Sequence, residues 1–365
     1  MKLGDIAKES KTTFKGDKTN VPIVGLENIE PEELVLHDYD INTENTFSRS
    51  FHKGQILFGR RRAYLKKAAV ADFDGICSGD IIIIEPIEGK VEPSLLPFII
   101  QNDKLFNYAV SRSAGGLSPR VKWQDLANYE FSLPPLSEQK SLAEKLWAAY
   151  HLKESYKKLL QATDDMVKAE FRKRFGTLKK PKVDIKSLRD ISMSSGIYGS
   201  NTSAVEYMDG LPRYIRITDI NEDGSLNDDV KSAEVIDDKY SLKLGDILFA
   251  RTGATVGKTY LHKGGYALYA GYLIKYQMNP EFMRPSFLMA FTHSKSYYKW
   301  VLSSQKVGAQ PNISAKQYDQ MPVLVPSLSE QDAFLKVYEQ ANITKSSLHQ
   351  SINNIDKVIK SMLNN

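Results

Sequence analysis

Cationic side chains are concentrated in one short stretch of the chain, RRRAYLKK at residues 60–67. Five of its eight residues are arginine or lysine, one is tyrosine, and none is acidic. Arginine and lysine are the side chains that contact phosphates and guanine edges in nucleic acids. The candidate binding residues in this stretch are Arg60, Arg61, Arg62, Tyr64, Lys66 and Lys67.

The same place in the second half of the chain carries a different set of polar residues. GDILFARTGATVGK (245–258) aligns with GQILFGRRRAYLKK (54–67), and seven of the fourteen positions are identical. Threonine hydroxyls contact bases and backbone groups, whereas arginine and lysine favour phosphate and guanine. The candidates here are Arg251, Thr252, Thr255 and Lys258.

A second polar cluster precedes a repeated phrase in each half. Gly115-Gly116 in the first half and Gly308 in the second allow the chain to approach a ligand closely. The candidates are Arg112, Ser113, Ser118, Arg120 and Lys122 in the first half, and Lys306, Gln310, Asn312 and Ser314 in the second. A solvated strand end explains any single one of these residues equally well, but two clusters that are duplicated in register favour DNA.

The sequence lacks recognisable catalytic and metal-binding motifs. GATVGKT (253–259) differs from a P-loop because only three residues separate Gly253 from Gly257, and the first repeat has no glycine in that place. The six histidines have no metal-ligand spacing, and Cys77 has no C-x-x-C partner. We therefore expect no catalytic residue and no metal. A nucleotide hydrolase built on Lys258 is the alternative from the enzyme class.

The elements that must position these residues are duplicated. LPPLSEQ (133–139) returns as VPSLSEQ (325–331), an offset of 192 residues, and LGDIA (3–7) returns as LRDIS (188–192). The common order of motifs predicts a duplicated domain. Strands are predicted at Gln55–Phe58, Ile81–Glu85, Asp246–Ala250 and Leu273–Gln277, and short helices at Leu95–Asn102 and Pro285–Ser294.

A long helix is predicted after each copy of the phrase. Ser137 and Ser329 are suitable N-cap residues. Apolar residues then alternate at spacings of three and four, which is typical of a coiled-coil seam, and Lys153 and Lys345 interrupt the two copies at the same step. The seam residues are Leu142, Leu146, Ala149, Tyr156, Leu160 and Val167 in the first helix, and Phe334, Tyr338, Ala341, Leu348, Ile352, Ile355 and Ile359 in the second.

These elements predict an α+β fold class. We expect two tandem repeats of a mixed α/β domain, each followed by a long helix, with the two helices pairing as an antiparallel coiled coil. The alternative is that each helix packs on its own domain. The predicted boundaries are 1–135 for the first domain, 136–180 for the first long helix and linker, 181–327 for the second domain, and 328–365 for the second long helix.

Composition sets further bounds. The chain has 365 residues, a single cysteine, no apolar run long enough to span a bilayer, and no apolar core for a signal peptide, which predicts a cytoplasmic protein. The net charge of +5 is concentrated in residues 136–182, with 12 basic and 6 acidic side chains. The basic segment RKRFGTLKKPK (172–182) is either a solvated linker or a further nucleic-acid contact.

The repeated order of motifs resembles the specificity (S) subunit of type I restriction-modification enzymes. The resemblance covers essentially the whole chain, and its specific part is the doubled P-x-L-S-E-Q phrase with a long helix after it. It implies two target-recognition domains that each read one half of a split double-stranded DNA site, with the coiled coil as spacer. Because the halves differ between the shared phrases, the implied target is asymmetric.

The same resemblance implies the partners. It predicts a non-catalytic subunit that binds two methyltransferase (M) subunits, which use S-adenosylmethionine to methylate adenine N6, and it allows for restriction/translocase (R) subunits. No cofactor is expected in this chain, and no membrane contact. The alternatives are the specificity subunit of a system whose methyltransferase and nuclease are fused, and a coiled-coil interaction scaffold that does not read DNA.

Overall fold

The chain folds as two compact units built on the same plan. The structure, a computed structural model, describes residues 1–305 and 311–364. The first unit comprises Met1–Lys157 and His349–Asn365, and the second comprises Lys158–Leu348. The predicted fold class is confirmed, because each unit holds one mixed α/β repeat together with a segment of each long helix.

The first unit alternates short strands with short helices. Its strands are β1 (Ala7–Ser10), β2 (Ile23–Val24), β3 (Arg49–Phe51), β4 (Ile56–Gly59), β5 (Ala68–Val70), β6 (Gly75–Cys77) and β7 (Ile81–Pro86). Its helices are α1 (Leu96–Ile100), α2 (Asp103–Ser111), α3 (Trp123–Leu126) and the beginning of the long α4 (Leu136–Phe175).

The second unit repeats this order with additional strands. They are β8 (Gly176–Thr177), β9 (Lys180–Pro181), β10 (Asp184–Ser187), β11 (Ile197–Tyr198), β12 (Ala204–Glu206), β13 (Arg213–Ile215), β14 (Lys231–Ala233), β15 (Ile247–Ala250), β16 (Thr259–Leu261), β17 (Ala267–Tyr269), β18 (Leu273–Tyr276) and β19 (Pro322–Val325). The helices are α5 (Pro285–Thr292), α6 (Lys295–Ser304), α7 (Ala315–Asp319) and the long α8 (Leu328–Asn364), which ends in the first unit.

The central sheet of each repeat is buried on both faces. In the first unit its strand order is β1-β7-β4-β5, and Phe58 faces the helices while its neighbour Leu57 faces the second sheet, β2-β6-β3. In the second unit the order is β11-β18-β15-β16, and Phe249 and Leu248 are divided between two cores in the same way. Burial on both faces explains the unbroken apolar runs of β4, β7 and β15.

The glutamine of each repeated phrase joins the start of a long helix to its own domain. The side-chain amide of Gln139 accepts a hydrogen bond from the backbone N–H of Glu92 (3.0 Å), and that of Gln331 accepts one from the N–H of Arg284 (2.8 Å). Both glutamines also donate to the carbonyl of the proline five residues earlier. Because both side chains are buried, these bonds fix where each helix leaves its domain.

The long helices begin earlier than the N-caps predicted at Ser137 and Ser329. α4 starts at Leu136 and α8 at Leu328, so both serines lie inside the first turn. Ser327 caps α8 instead: its N–H and hydroxyl donate to the Glu330 carboxylate, and its hydroxyl accepts from the Glu330 N–H. The prediction was wrong because backbone bonds already close a turn that starts before each serine, from the Glu138 N–H to the Pro135 carbonyl (2.8 Å) and from the Gln331 N–H to the Ser327 carbonyl (3.0 Å).

The seam residues predicted for the coiled coil lie on the shielded faces of α4 and α8. Every one of them is buried or half-buried. In the first unit Leu142 and Leu146 share a core with Ile359, and in the second Val167 shares one with Phe334. The predicted pairing of the two helices is therefore confirmed within each unit. The helices pack on the domains as well, so the two predicted alternatives are realised together.

The two lysines that interrupt the seam make equivalent ion pairs. Lys153 Nζ lies 2.7 Å from Asp356 in the first unit, and Lys345 Nζ lies 2.8 Å from Asp164 in the second. The lysine pair and the aspartate pair are each separated by the repeat offset of 192 residues. Each lysine side chain is mostly shielded, with 16% and 24% exposed, so its charge depends on this partner.

The boundaries predicted for the recognition domains, 1–135 and 181–327, stay predictions. The compact units take in helix segments as well as these ranges. Among the described residues, no helix is long and apolar enough to cross a membrane.

Reversing one seam charge tests the ion pairs. We expect Lys345→Glu to lower stability by about 1 kcal/mol, since Asp164 then meets a like charge, and to lower the thermal midpoint by about 2–4 °C. Lys345→Glu/Asp164→Lys recovers most of the loss, whereas the exposed Lys158→Glu has little effect. Circular-dichroism melts measure all three variants. A double variant no more stable than the single one contradicts a specific pair.

Candidate nucleic-acid interface

In each unit, backbone hydrogen bonds bring the two predicted polar clusters side by side. In the first unit, the N–H of Arg62 donates to the carbonyl of Pro119 (2.8 Å), and the N–H of Val121 donates to the carbonyl of Arg60 (3.0 Å). These bonds place the chain just after β4 antiparallel to the chain just before α3, with Arg61 opposite Arg120. Residues far apart in sequence therefore form one surface.

The second unit makes the same backbone contacts at the equivalent positions. The N–H of Gly253 donates to the carbonyl of Pro311 (2.9 Å), and the N–H of Ile313 donates to the carbonyl of Arg251 (2.8 Å). Thr252 here lies opposite Asn312. The two units therefore share one backbone frame, which we call the strand-end clamp: residues 60–62 with 119–121, and 251–253 with 311–313.

Several cationic and aromatic side chains in and beside the first clamp remain available to a ligand. Arg62, Tyr64, Arg112 and Lys122 are exposed, and Arg60 is half-buried. Arg62 has the left-handed backbone conformation (φ 54°), which is uncommon for a residue other than glycine. A cationic surface of this kind suits the phosphates and base edges of DNA.

An acidic residue that the sequence analysis missed lies within the first clamp. Asp80, in the turn before β7, accepts hydrogen bonds from Arg120 Nε (2.7 Å) and, at 3.4 Å each, from Arg120 Nη2 and Arg61 Nη1. The hydrogen bond from Arg120 chiefly holds the pKa of Asp80 below its ordinary value. No short-range pattern could reveal this residue, because it precedes Arg120 by 40 positions.

The second clamp holds its arginine with uncharged groups. Arg251 Nε donates to the side-chain oxygen of Asn312 (3.3 Å), and the guanidinium lies over the ring of Tyr198, 4.8 Å from its centre. Tyr272 occupies the position that Asp80 has in the first unit. The carbonyl of Tyr272 accepts a hydrogen bond from the Arg251 N–H, and the carbonyl of Asp80 accepts the equivalent bond from the Arg60 N–H. Tyr198 and Tyr272 were both missed from sequence, because neither lies near a cationic cluster.

Three lysines predicted to contact DNA are occupied within their own units. Lys67 Nζ donates to the carbonyl of Leu26 (2.7 Å), and Lys258, its equivalent, donates to Ile220 (3.3 Å) and pairs with Glu222 (2.9 Å). Lys66 pairs with Asp103 and Glu32, which raise its pKa. These lysines stabilise the loops that carry the clamp, and we leave them out of the proposed surface.

The predicted hydroxyl side chains make local bonds. Ser314 caps α7 through Gln317, and Ser113 donates to the last turn of α2. Thr252 and Thr255 donate to nearby carbonyls. Ser118 differs, because its hydroxyl accepts from Arg61 Nη2 (3.0 Å). Asn312 therefore joins Arg251 as the main polar side chain that the second clamp presents.

Two predicted residues, Lys306 and Gln310, lie outside the described residues, as does Gly308. The basic segment 172–182 is described and begins at the end of α4. There Arg174 pairs with Glu170 (2.6 Å), and Lys182 Nζ donates to the carbonyl of Lys173 (2.8 Å). These internal contacts fit the solvated-linker interpretation of that segment.

The local structure of GATVGKT differs from that of a P-loop, which counts against the nucleotide-hydrolase alternative. A P-loop passes from a strand into a helix, whereas here Gly253–Thr255 form one 3-10 turn and β16 follows. The lysine that should reach a phosphate is directed to Ile220 and Glu222. The segment therefore lacks the phosphate cradle of a P-loop.

Comparison with known proteins places this architecture in a family. A model described as the type I restriction modification DNA specificity domain matches residues 1–162 and 182–356. The specificity subunit of the type I restriction enzyme EcoDI from Escherichia coli is 29% identical over 96 residues, which are 26% of this chain and 21% of that subunit. The match thus spans about a fifth of the relative's own length.

Solved structures share the fold. The S subunit of the type I restriction-modification system of M. genitalium superposes with a TM-score of 0.55 at 13% identity, over 100% of this chain and 96% of that one. A chain from a structure of the complex assembly and conformational transition of the type I R-M system also gives 0.55, at 18% identity, over 100% of this chain and 95% of that one.

The equivalent lysines provide a test of their structural role. We expect Lys67→Met and Lys258→Met each to lower the thermal midpoint by about 2–8 °C, because a half-buried carbonyl loses its donor at a cost of about 1–2 kcal/mol. Neither the unchanged chain nor Lys258→Met should bind ATP in a calorimetric titration. ATP binding that Lys258→Met abolishes would restore the nucleotide hypothesis.

Proposed function

The chain belongs to the type I restriction modification DNA specificity family, whose model covers most of its length, and from this premise we propose that it reads a split, asymmetric DNA site. Each unit supplies one reader. The chain itself is non-catalytic and brings sequence specificity to methyltransferase subunits in the cytoplasm. Methylation of adenine N6 by S-adenosylmethionine takes place on those partners.

The observation that carries this proposal is the strand-end clamp. The same backbone bonds occur in both units, whereas the side chains on them differ. A shared frame suits a task that both units perform, and different side chains suit different DNA sequences, since base edges are distinguished by donor and acceptor pattern. A chain that used its coiled coil alone would have no need of this duplicated frame.

The side chains of the two readers differ in kind. The first reader presents mostly cationic side chains, so contacts to phosphates and guanine edges dominate it. These side chains are Arg60, Arg61, Arg62, Tyr64, Arg112, Arg120 and Lys122. In the second, the terminal nitrogens of Arg251 make no hydrogen bond within the part of the chain that the structure describes. Its guanidinium therefore has the four N–H donors of its two terminal nitrogens left for a base or a phosphate.

The long helices are proposed as the spacer of the two readers. Their seam is shielded, and each unit contains one of the two equivalent lysine–aspartate pairs. A charged residue at a seam position favours the register in which it finds its partner. A single register gives the paired helices a single length, and a split DNA site with a spacer of defined length requires this.

The methyltransferase subunits are proposed to dock on exposed apolar positions of the helices. In the second unit Leu159 and Met166 are seven residues apart on α4, and 48% and 49% of their side chains are exposed. In the first unit Leu152 and Val358 are exposed to 46% and 47%. Apolar side chains at a helical spacing fit an amphipathic partner surface. The proposal also allows for restriction/translocase subunits as partners.

Methylation mapping tests the two-reader proposal. Co-expressed with its methyltransferase, the chain should direct methylation to a split motif with one modified adenine in each half. Arg60→Ala/Arg62→Ala should relax the first half, and Arg251→Ala the second, because each removes direct contacts from one reader, at about 1–3 kcal/mol per contact. Sequencing that detects N6-methyladenine across the genome measures this.

Three outcomes count against the proposal. A continuous motif, or both variants relaxing the same half, excludes one reader per unit. Methyltransferase binding without any sequence motif favours the interaction scaffold instead.

Docking on the helices has its own test. We expect Leu159→Glu/Met166→Glu to reduce methyltransferase binding by tenfold or more, because burying two carboxylates against an apolar partner surface is costly. Gln161→Glu/Lys168→Gln changes the net charge by the same amount at two exposed positions on the opposite side of α4 and is the control. Co-purification and calorimetry measure binding, and equal binding by both double variants would place the docking surface elsewhere.

A further inference from the structure

One carboxylate stands inside the cationic surface of the first reader. Asp80 is held in place through its backbone, since its N–H donates to the Ser78 hydroxyl (3.2 Å) and its carbonyl accepts from the Arg60 N–H (2.9 Å). Its two carboxylate oxygens accept hydrogen bonds from Arg61 and Arg120, which lie on the two opposite segments of the clamp. One side chain thus orients two arginines.

Arg61 makes one of its two side-chain hydrogen bonds to described residues with this carboxylate. Its Nη1 donates to Asp80 and its Nη2 to Ser118, while its Nε is buried and has no partner among the described residues. Arg120 forms two bonds to Asp80 and is 46% exposed. Without the carboxylate Arg120 loses both of these bonds, and Arg61 keeps the bond to Ser118 but loses the second point that fixes its direction.

Asp80 also remains within reach of a ligand. Its side chain is 21% exposed, and it borders an open hollow of about 360 Å³ together with Ser48, Arg49 and Ser78. A carboxylate at such a place repels DNA phosphates at the distances over which charges act in ordinary salt. It therefore weakens binding that relies on phosphates alone.

The second reader shows that the frame itself does not need this acid. Tyr272 takes the equivalent position, and Arg251 is held by Asn312 and Tyr198, neither of which is charged. The acid is thus a feature of one reader and not of the fold. A residue that varies on a constant frame is suited to setting which sequence is read.

We propose that Asp80 is the positioning residue that determines the specificity of the first reader. It orients Arg61 and Arg120 towards the base edges of the first half-site, and its charge keeps the same arginines from binding phosphates without regard to sequence. The inference rests on the proposed function and adds to it the residue that separates specific from non-specific binding.

The decisive variant is Asp80→Asn, which keeps the shape and one acceptor oxygen but removes the charge. We expect discrimination at the first half-site to fall about tenfold, within the range that one misread base pair costs. Affinity for unrelated duplex DNA should rise, with a salt dependence steeper by about 0.9 for each additional phosphate that the protein neutralises. Selection at the second half-site should stay unchanged.

The experiment uses the full chain with its methyltransferase. Methylation mapping reports the selection at each half-site. Fluorescence anisotropy at salt concentrations between about 50 and 200 mM compares a duplex carrying the mapped site with an unrelated duplex. Asp74→Asn is the control, because it removes the same charge from an exposed aspartate of the same unit that pairs with His52. Thermal melts monitor folding.

The outcomes separate the possible explanations. Unchanged motif and unchanged non-specific binding in Asp80→Asn overturn the proposal. An equal rise in non-specific binding in Asp74→Asn also overturns it, because the effect would then be one of net charge. A uniform loss of selection at both half-sites, with a lower melting temperature, overturns it as well, because Asp80 would then have only a structural role. If the unchanged chain directs no split motif, the proposed function itself fails, and that result is seen before any variant is compared.

Discussion

The buried side-chain amides of Gln139 and Gln331 are the constraint on which each repeat depends. A buried amide that lacks partners costs free energy, so both glutamines must keep their hydrogen bonds to backbone groups of the domain and to the proline before the helix. Those bonds fix the start of each long helix. The phase of the helix then follows, and with it which residues face the seam. This physical requirement explains why the phrase that contains these glutamines is repeated almost unchanged, while the loops between the copies are not.

The strand-end clamp shows how one fold can carry two different surfaces. Its hydrogen bonds involve backbone atoms only, so they place no demand on the side chains at the same positions. Arg61 and Arg120 can therefore become Thr252 and Asn312 without loss of the frame. The anchoring groups change along with them, from the carboxylate of Asp80 to the ring of Tyr198 and the amide of Asn312. An arginine needs some fixed partner to keep a direction, but an anion and an aromatic face both serve.

Much of this architecture can be predicted from sequence because it is periodic or repeated. The strands at β4, β7, β15 and β18 and the helices at α1 and α5 were predicted from apolar runs and turn residues, and the seam from its spacing of three and four. Most of what was missed has no local signature. The inward direction of Lys67 and Lys258 depends on carbonyls about 40 residues earlier. The start of α8 is different, because its capping box joins Ser327 to Glu330 three residues later, which is a local pattern. The site residues named from sequence as DNA contacts stay predictions. Charge alone did not distinguish Arg62, which is exposed, from Lys66, which is paired with Asp103.

The lysines in the seam illustrate why a polar residue can persist where an apolar one would bind more tightly. Lys153 and Lys345 interrupt stripes that are otherwise mostly apolar, and each is shielded enough that its ammonium group needs a counter-charge. Asp356 and Asp164 supply it only when the helices run antiparallel in this register. A shift by one turn leaves two ammonium groups without partners, whereas a shift of leucines past leucines costs far less. The two lysine–aspartate pairs therefore contribute little to stability and much to the register of the two helices. For a protein proposed to read two half-sites at a fixed separation, register is the property that matters.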